Sequence, residues 1–286
     1  MIKENESKPL SHNEVLKEAD PILAGELAST LLNPEADRFS NDDGQFLKFH
    51  GIYQQDDRDL RKTGKKFMFM IRGRIASGIL TADQYRVYDD LATQYANNTL
   101  RLTSRQSIQF HGVVKSGLGP LMKRINDALM TTLAACGDVN RNVMAPPTPV
   151  TESWMEEVHA DSQCLSDALL PTTPSYNAIW VEGVQLNLTD HQGHDDPLYG
   201  KTYLPRKFKT AFAVPPLNDV DLFTNCLGFI AIEEEGKLVG YNLTAGGGLG
   251  MSHNNPNTYP RKADVIGFLK RDQVEAVAKA VLTVHR

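Results

Sequence analysis

Nothing in this sequence approaches the ~20 consecutive apolar residues that a membrane-spanning helix needs, and the opening MIKENESKPLSHNE contains no apolar stretch of the kind a secretory signal carries. No membrane partner is expected, and the cytoplasm is the expected compartment. Cysteine is scarce: Cys136, Cys164 and Cys226 lie far apart with no C-x-x-C pair, so neither a disulfide framework nor a metal site reads from their spacing. A surplus of basic residues is also missing. With 30 Lys and Arg against 35 Asp and Glu the net charge is −5, which speaks against a general nucleic-acid binder and makes any basic face a local device for a small anion. Internal repeats and low-complexity tracts are absent too.

What is present is the composition of an ordinary globular protein, 41% hydrophobic and 23% charged over 286 residues, a length that sets a prior of about two domains. Residues 1–46 are polar and weakly patterned, an extension wrapped around a body, and 46–66 mixes a short strand-like piece with a charged loop. KFMFMIRGRIASG (66–78) alternates, with Phe67, Phe69 and Ile71 on one side and Met68, Met70, Arg72 and Arg74 on the other. TADQYRVYDDLATQYANN predicts a helix N-capped by Thr81, with Tyr85, Tyr88, Leu91 and Tyr95 facing the core. RLTSRQSIQFHG (101–112) reads as a strand. GPLMKRINDALMTTLAACG reads as a helix with Leu121, Ile125, Leu129 and Leu133 on one side and Gly137 past its end.

Strand, helix, strand, helix over 67–137 makes a compact half-domain. The prolines of MAPPTPVTES mark a boundary. Beyond it, Ser153 and Glu156 fit a capping box for a helix carrying Trp154, Val158, Leu165 and Leu169. Strands are predicted at 177–188, 202–214, 227–233 and 237–245, with a hairpin turn at EEEGK. A last helix, RDQVEAVAKAVLTVHR, carries Val274, Val277, Val281 and Leu282 on one side.

The chemistry lies in four cationic stretches. In RLTSRQSIQFHG the odd positions Arg101, Thr103, Arg105, Ser107, Gln109 and His111 would share one strand face without an apolar residue. Arg72 and Arg74 would share another. DVNRNVM places Arg141 between two asparagines, and YLPRKFKT places Lys207 and Lys209 on one face with Arg206 and Phe208 opposite. A single such stretch is ordinarily a solvated face. Four that converge would bind a ligand with several carboxylates, an oxyanion, or both, since the planar arginine fork pairs both oxygens of a carboxylate and lysine is a mobile charge that also donates a proton. Other motifs read as structure: DHQGHDD as a solvated turn rather than a metal site, AGGGLG as a tight turn where backbone approaches a ligand, and His159 and Cys164 as packed helix residues.

RLTSRQSIQFHG resembles the signature strand of the sulfite and nitrite reductases that carry sirohaem, and FHGIYQQDDRD, VNRNVM, TYLPRKFKT and GKLVGYNLTAGGGLG resemble further blocks of that family, in its order, from about Phe46 to the end. The resemblance implies an α+β fold: an N-terminal extension (1–66), a ferredoxin-like half-domain (67–144) and a mixed α/β sirohaem-binding domain (150–286), both domains incomplete relative to the family. It implies that Arg101, Thr103, Arg105, Gln109, His111 and Arg206 serve the sirohaem, and that Arg72, Arg141, Lys207 and Lys209 bind the substrate anion. The implied reaction is the six-electron reduction of sulfite to sulfide in sulfate assimilation and cysteine biosynthesis. Its electrons would come through a 4Fe–4S cluster, from an NADPH-fed flavoprotein in preference to ferredoxin. Lys207-Phe208-Lys209 matches the sulfite branch, whereas the nitrite branch tends to carry Asn at the second lysine.

The family's cluster cysteines, a C-x₅-C pair and a later C-x₃-C pair, have no counterpart among the three cysteines here. By the resemblance they belong beyond Arg286. With a last helix that runs to Arg286 without a stop signal, the expectation is an N-terminal fragment, inactive alone, that contains no metal ligands of its own. The alternatives are a ferredoxin-type nitrite reductase and a non-catalytic module that binds a tetrapyrrole or anion.

Overall fold

The computed structural model describes residues 9–184, 186, 188–191, 193–251 and 254–286. Residues 1–8 of the expected extension, Gln185 and Asn187 of the expected strand at 177–188, and Gln192 of DHQGHDD lie outside the described residues. The extension is helical: α1 (His12–Ala19), α2 (Leu27–Leu32) and α3 (Asp43–Phe49) precede the first strand. The start of α1 is local, a capping box in which the Ser11 hydroxyl accepts from the Glu14 N–H and the Glu14 carboxylate accepts from the Ser11 N–H at 2.7 Å.

The first sheet contains β1 (Ile52–Asp56), β2 (Phe67–Arg72), β3 (Arg101–Leu102) and β4 (Ile108–Val113), antiparallel in the order β1-β2-β4-β3. Between β2 and β3 runs α4 (Ala82–Tyr95), closed by the predicted Thr81 cap with Gln84 as its reciprocal partner. Tyr88 and Leu91 are buried, Tyr88 stacking on Phe110 at 5.4 Å, but Tyr85 is exposed and Tyr95 half-buried. The tyrosine stripe is therefore only partly core-facing.

The predicted strand over 101–112 is a hairpin. Arg101 pairs with Gln109 and Leu102 with Ile108, while Thr103–Ser107 forms the turn with Gln106 at φ +54. Alternation fails there because the Thr103 hydroxyl accepts from the backbone N–H groups of Arg105 and Ser107, a local bond that competes with strand pairing. The next helix, α5 (Lys115–Asp127), starts earlier and ends well before Gly137. Leu129, at φ +57 and 91% exposed, ends the apolar stripe, and the chain beyond is drawn away by Ala134 N–H bonding to Phe49 O at 2.7 Å.

Past the proline-rich segment comes α6 (Ser153–Ala168), with Trp154, Val158 and Leu165 buried. Its N-cap is Glu152, whose side chain makes no cap bond, rather than the predicted Ser153 box. The segment expected as a strand at 177–188 is helical over α7 (Ser175–Asn177) and a π-turn (Ala178–Glu182), ended by Gly183 at φ +71. Its β-branched and aromatic composition yields to tertiary burial: Trp180 Nε1 donates to His50 Nδ1 at 2.9 Å inside the core.

The second sheet contains β5 (Thr210–Ala213), β6 (Leu227–Glu234), β7 (Lys237–Ala245) and β8 (Asp264–Lys270) in that order, with β5 and β6 parallel and the rest antiparallel. The EEEGK hairpin is observed. The strand predicted over 202–214 shortens to β5, and β8 is an addition. The last helix, α8 (Val274–His285), buries Val274, Ala278 and Leu282. It is tied to α6 through Arg271, which bonds both Asp161 and Glu157. At its other end Arg286 takes the C-cap position, its backbone N–H bonding Leu282 O and its Nη1 donating to Leu198 O at 3.2 Å. One contiguous core runs from Phe69 and Phe110 in the first sheet to Phe212, Phe229 and Tyr241 in the second.

Beyond β5 the PRKFKT segment continues as an irregular parallel pairing. Phe208 N–H bonds Val139 O, Arg141 N–H bonds Phe208 O at 2.9 Å, Met144 N–H bonds Thr210 O and Phe212 N–H bonds Met144 O at 2.8 Å. This pairing lays DVNRNVM directly against PRKFKT.

His50 sits fully buried, accepting from Trp180 at Nδ1 and facing Ser175 Oγ at 3.2 Å through Nε2, and burial pushes its pKa down to about 3. The unfolded chain takes that proton near 6.5, so below pH 6.5 the unfolded state binds the extra proton. Stability then falls by roughly 1.4 kcal/mol per pH unit until the folded pKa is reached. His50→Gln keeps an acceptor and a donor without titrating. Urea unfolding between pH 7 and 4.5 should show this acid-dependent loss in the parent protein and a slope shallower by one proton in the variant; equal slopes would refute the assignment.

Candidate functional site

The site begins as a row across the first sheet. Register places Arg72 on β2 opposite Gln109 on β4, and Gln109 opposite Arg101 on β3, so the three share a face, with His111 two residues along β4. The opposite face, with Phe69, Ile71, Ile108 and Phe110, is buried in the core. The hydrogen-bond network orients the Gln109 amide so that its oxygen accepts from Arg72 Nη2 at 2.6 Å and Nε at 2.9 Å while its NH₂ donates to His111 Nε2 at 3.1 Å. Arg72 Nη1 donates to Cys136 Sγ at 2.9 Å and reaches Ala135 O at 3.5 Å.

Loop 134–141 supplies the next cation. Arg141 Nε donates to Gly137 O at 2.7 Å and Nη1 to Ala135 O at 3.3 Å, so Arg72 and Arg141 share one carbonyl. Parallel pairing then brings Lys207 and Lys209 alongside. Desolvation, Lys209, Arg141, Arg206 and Arg72 all hold the Lys207 ammonium below its ordinary pKa, and desolvation, Arg105, Arg206 and Arg141 do the same to Lys209. Both lysines are consequently better acids than free lysine.

Arg206, Lys207 and Lys209 open into a cleft of about 500 Å³ whose other walls include Cys226, Tyr259, Arg261, His285 and the glycine run 246–250. Glycine is required at position 247 of that wall, where a Cβ would collide with the carbonyl oxygens of Phe223 and Asn225; at Gly250 a Cβ would meet only the movable end of the Arg206 side chain. Sequence reasoning flagged the glycine turn. It missed Cys136, Cys226, Tyr259 and His285, which carry no spacing signal because the cleft is assembled from distant segments.

Several predicted site residues stand elsewhere. Arg105 does not open freely onto the cleft: Nη1 donates to Asn225 Oδ1 at 2.8 Å and Nη2 to Asn142 O at 2.7 Å and Thr210 O at 3.0 Å, leaving only its buried Nε unpartnered. Thr103 uses its hydroxyl in the hairpin turn and borders a separate apolar groove with Ile79, Tyr85 and Leu102. Arg74 does not share a strand face with Arg72. It lies past the end of β2, buried, with bonds to Ser166 Oγ and O, Ala134 O and Asn140 O. Asp196 is not in a solvated turn: it is buried and accepts from the N–H groups of Thr172, Leu198 and Tyr199. Cys164 is exposed rather than packed, while His159 bonds Pro146 O at 3.0 Å. Arg286 adds no cation to the cleft that its neighbour His285 lines. Its guanidinium turns instead to Leu198 O and the glycine turn at Gly200, so its role is to tie the end of α8 to the 196–200 loop.

Among the described residues, none of Arg72, Arg101, Arg105, Arg141, Arg206, Lys207 and Lys209 makes an ion pair, although other cations do, including Arg261 of the cleft wall, which pairs with Asp264. In a chain of net charge −5 this is a concentrated uncancelled field. Together with the buried Arg105 Nε and the glycine wall, it fits a group ringed by carboxylates such as sirohaem. It does not fit a 4Fe–4S cluster. Cys136 is buried against Arg72, Cys164 lies on α6 and Cys226 lines the cleft, and no group of three or more His, Cys, Asp or Glu that could hold a metal occurs among the described residues.

Fold and cleft together define an α+β protein with a concentrated positive site. Residues 60–128 match the nitrite/sulfite reductase ferredoxin-like half domain and residues 160–286 the nitrite and sulphite reductase 4Fe-4S domain. The chain is 49% identical over 284 residues to a sulfite reductase (NADPH) hemoprotein beta-component of Methylorubrum populi, covering 97% of this chain and 46% of the relative. It is 49% identical to that of Geobacillus kaustophilus and 47% to that of Myxococcus xanthus, each half covered (50%). The chain thus spans about half the length of the curated relatives it matches. The NirA protein of Mycobacterium tuberculosis superposes with a TM-score of 0.73 at 24% identity, over 98% of this chain and 47% of that one, a likeness of fold. The chain belongs to the nitrite and sulfite reductase family.

Scaffold and ligand roles should separate by mutation. Arg105→Leu strips three acceptors of their donor and should cost about 2–4 kcal/mol. Arg101→Leu, at an exposed and unpaired position, should stay within about 0.5 kcal/mol. Denaturant unfolding of both variants checks this, and equal losses would place Arg105 among the ligand groups alone.

Proposed function

We propose that this chain holds sirohaem and forms the anion-binding side of a site that reduces sulfite to sulfide by six electrons, within sulfate assimilation and cysteine biosynthesis. The observation that carries this reading is the trio Arg206, Lys207 and Lys209, without carboxylate partners, lining one glycine-walled cleft with Arg72, Arg105 and Arg141 near enough to act on the lysines. Arg101, Arg206 and the Nε of Arg105 hold the carboxylates, with Gln109 and His111 beside them. Thr103 contributes through the hairpin it shapes. Arg72, Arg141, Lys207 and Lys209 hold the substrate anion. When bound, sirohaem supplies the iron at which sulfite is reduced, and a 4Fe–4S cluster held outside these residues, by cysteines beyond Arg286, supplies electrons.

The protein groups do the rest. Four cations suit the dianion sulfite better than singly charged nitrite. Each sulfite oxygen leaves as water, and the lowered ammonium pKa values of Lys207 and Lys209 let their Nζ atoms deliver protons. We read 1–66 as an extension, 67–144 as the ferredoxin-like half-domain and 150–286 as the sirohaem domain. The electron partner is an NADPH-fed flavoprotein in preference to ferredoxin, and the compartment is the cytoplasm. No described helix is long and apolar enough to cross a membrane.

The test uses the 286-residue chain titrated with sirohaem, followed by its visible absorbance. Sirohaem should bind, and Arg101→Ala combined with Arg206→Ala should weaken binding at least tenfold; absence of saturable binding would defeat the proposal. In the sirohaem-loaded chain, Lys209→Asn should weaken sulfite binding about tenfold, the scale of one lost charge-assisted contact, and leave nitrite binding within about twofold. Equal losses for the two anions would remove the physical basis for preferring sulfite.

A further inference from the structure

We propose that His111 is a positioning residue for Arg72: as a neutral acceptor it fixes the Gln109 amide, and the amide fixes the guanidinium that faces the anion. This rests on the reading of Arg72 as an anion-binding group and adds what sets its geometry.

The argument is one of donors and acceptors. Gln109 is buried, with 8% of its surface exposed, so water cannot readily satisfy its amide. Its two ends meet partners of opposite character. On one side stand Arg72 Nη2 and Nε at 2.6 and 2.9 Å, which can only donate. On the other stands His111 Nε2 at 3.1 Å, which accepts when the ring is neutral with its proton on Nδ1. One orientation of the amide satisfies all three contacts. Cys136 Sγ takes Arg72 Nη1 from the other side, so the guanidinium is held by neutral groups at both ends. Of its five N–H groups, one on Nη2 is left for a ligand.

Protonation of His111 inverts this arrangement. Nε2 becomes a donor, and the amide oxygen must turn to meet it at the same 3.1 Å separation. The NH₂ group then faces the N–H groups of Arg72, donor against donor, and both bonds that hold the guanidinium are lost. The charged groups acting on His111 are Arg101 from β3 and Arg72 from β2. The loop after α4 meets it with the neutral Asn97, whose N–H bonds His111 O at 2.9 Å. Burial first, and then those two cations, hold the imidazole pKa below its ordinary value. The neutral form therefore dominates at neutral pH, and the orienting chain is lost as pH falls through the lowered pKa.

The experiment uses the ligand-free 286-residue chain, labelled with ¹⁵N, and follows the His111 ring, the Gln109 side-chain amide and the Arg72 Nε–H through a pH titration. The Gln109 and Arg72 signals should move with the His111 midpoint. Below that midpoint, exchange of the Arg72 Nε–H with water should rise at least tenfold relative to the exposed Arg86. In His111→Phe, which cannot accept, the Arg72 Nε–H should exchange rapidly at every pH, with no midpoint. His111→Gln, which accepts without titrating, should restore slow exchange. If His111 titrates while Gln109 and Arg72 stay unchanged in the parent chain, or if the midpoint survives in His111→Phe, the proposal is wrong. Sirohaem titration at pH 8, where His111 is neutral, tests the cofactor reading separately.

Discussion

A buried guanidinium, a half-buried one and two buried asparagines tie the two sheets and their connecting loops together. Arg74 reaches from the end of β2 to Ala134 O, Asn140 O and the Ser166 backbone, and Arg105 reaches from the hairpin to Asn142 O, Thr210 O and Asn225. Asn142 answers by bonding Ile75 N–H and O and the carbonyls of Arg105 and Gln106. Asn140 accepts from the Thr210 hydroxyl at 2.7 Å. Burying such groups is costly unless each donor finds an acceptor. Nearly every donor here does, and the acceptors come from several segments distant in sequence. The position of the cleft follows from that lattice.

The same lattice explains why the site keeps its charge. A carboxylate would hold a guanidinium equally firmly but would cancel it. The acceptors around Arg72, Arg105 and Arg141 are instead carbonyls, amides and a thiol: Ala135 O, Gly137 O, Gln109, Asn225 and Cys136. Burial pushes the Cys136 thiol up in pKa, with Arg72, Arg141 and Lys48 pulling it back. Neutral acceptors fix orientation and leave the field for an incoming anion, which is how an acidic chain can carry a strongly positive pocket.

Legibility in the sequence tracked the range of the deciding interaction. The helix at 82–95 was readable because its cap is three residues long, and β6 with β7 because their turn is local. The Arg72, Gln109, Arg101 row was half readable: the residues were named, but on two separate strand faces rather than in a line across three strands. The segment at 177–188 failed because a contact with His50, some 130 positions away, overrides its composition. The bonds of Arg105 were not readable, since nothing local to 101–112 announces acceptors at 142, 210 and 225.

The pairing of 139–144 with 208–212 spans the proline-rich segment at 145–152, and that has a bearing on how the molecule is put together. The cleft is lined by residues after those prolines, from Arg206 to His285, while Arg72, Arg105 and Arg141 come before them and bear electrostatically on Lys207 and Lys209. An anion that met both sets of cations would oppose the separation of the two segments. Such an occupant would act as a clasp between two lengths of chain.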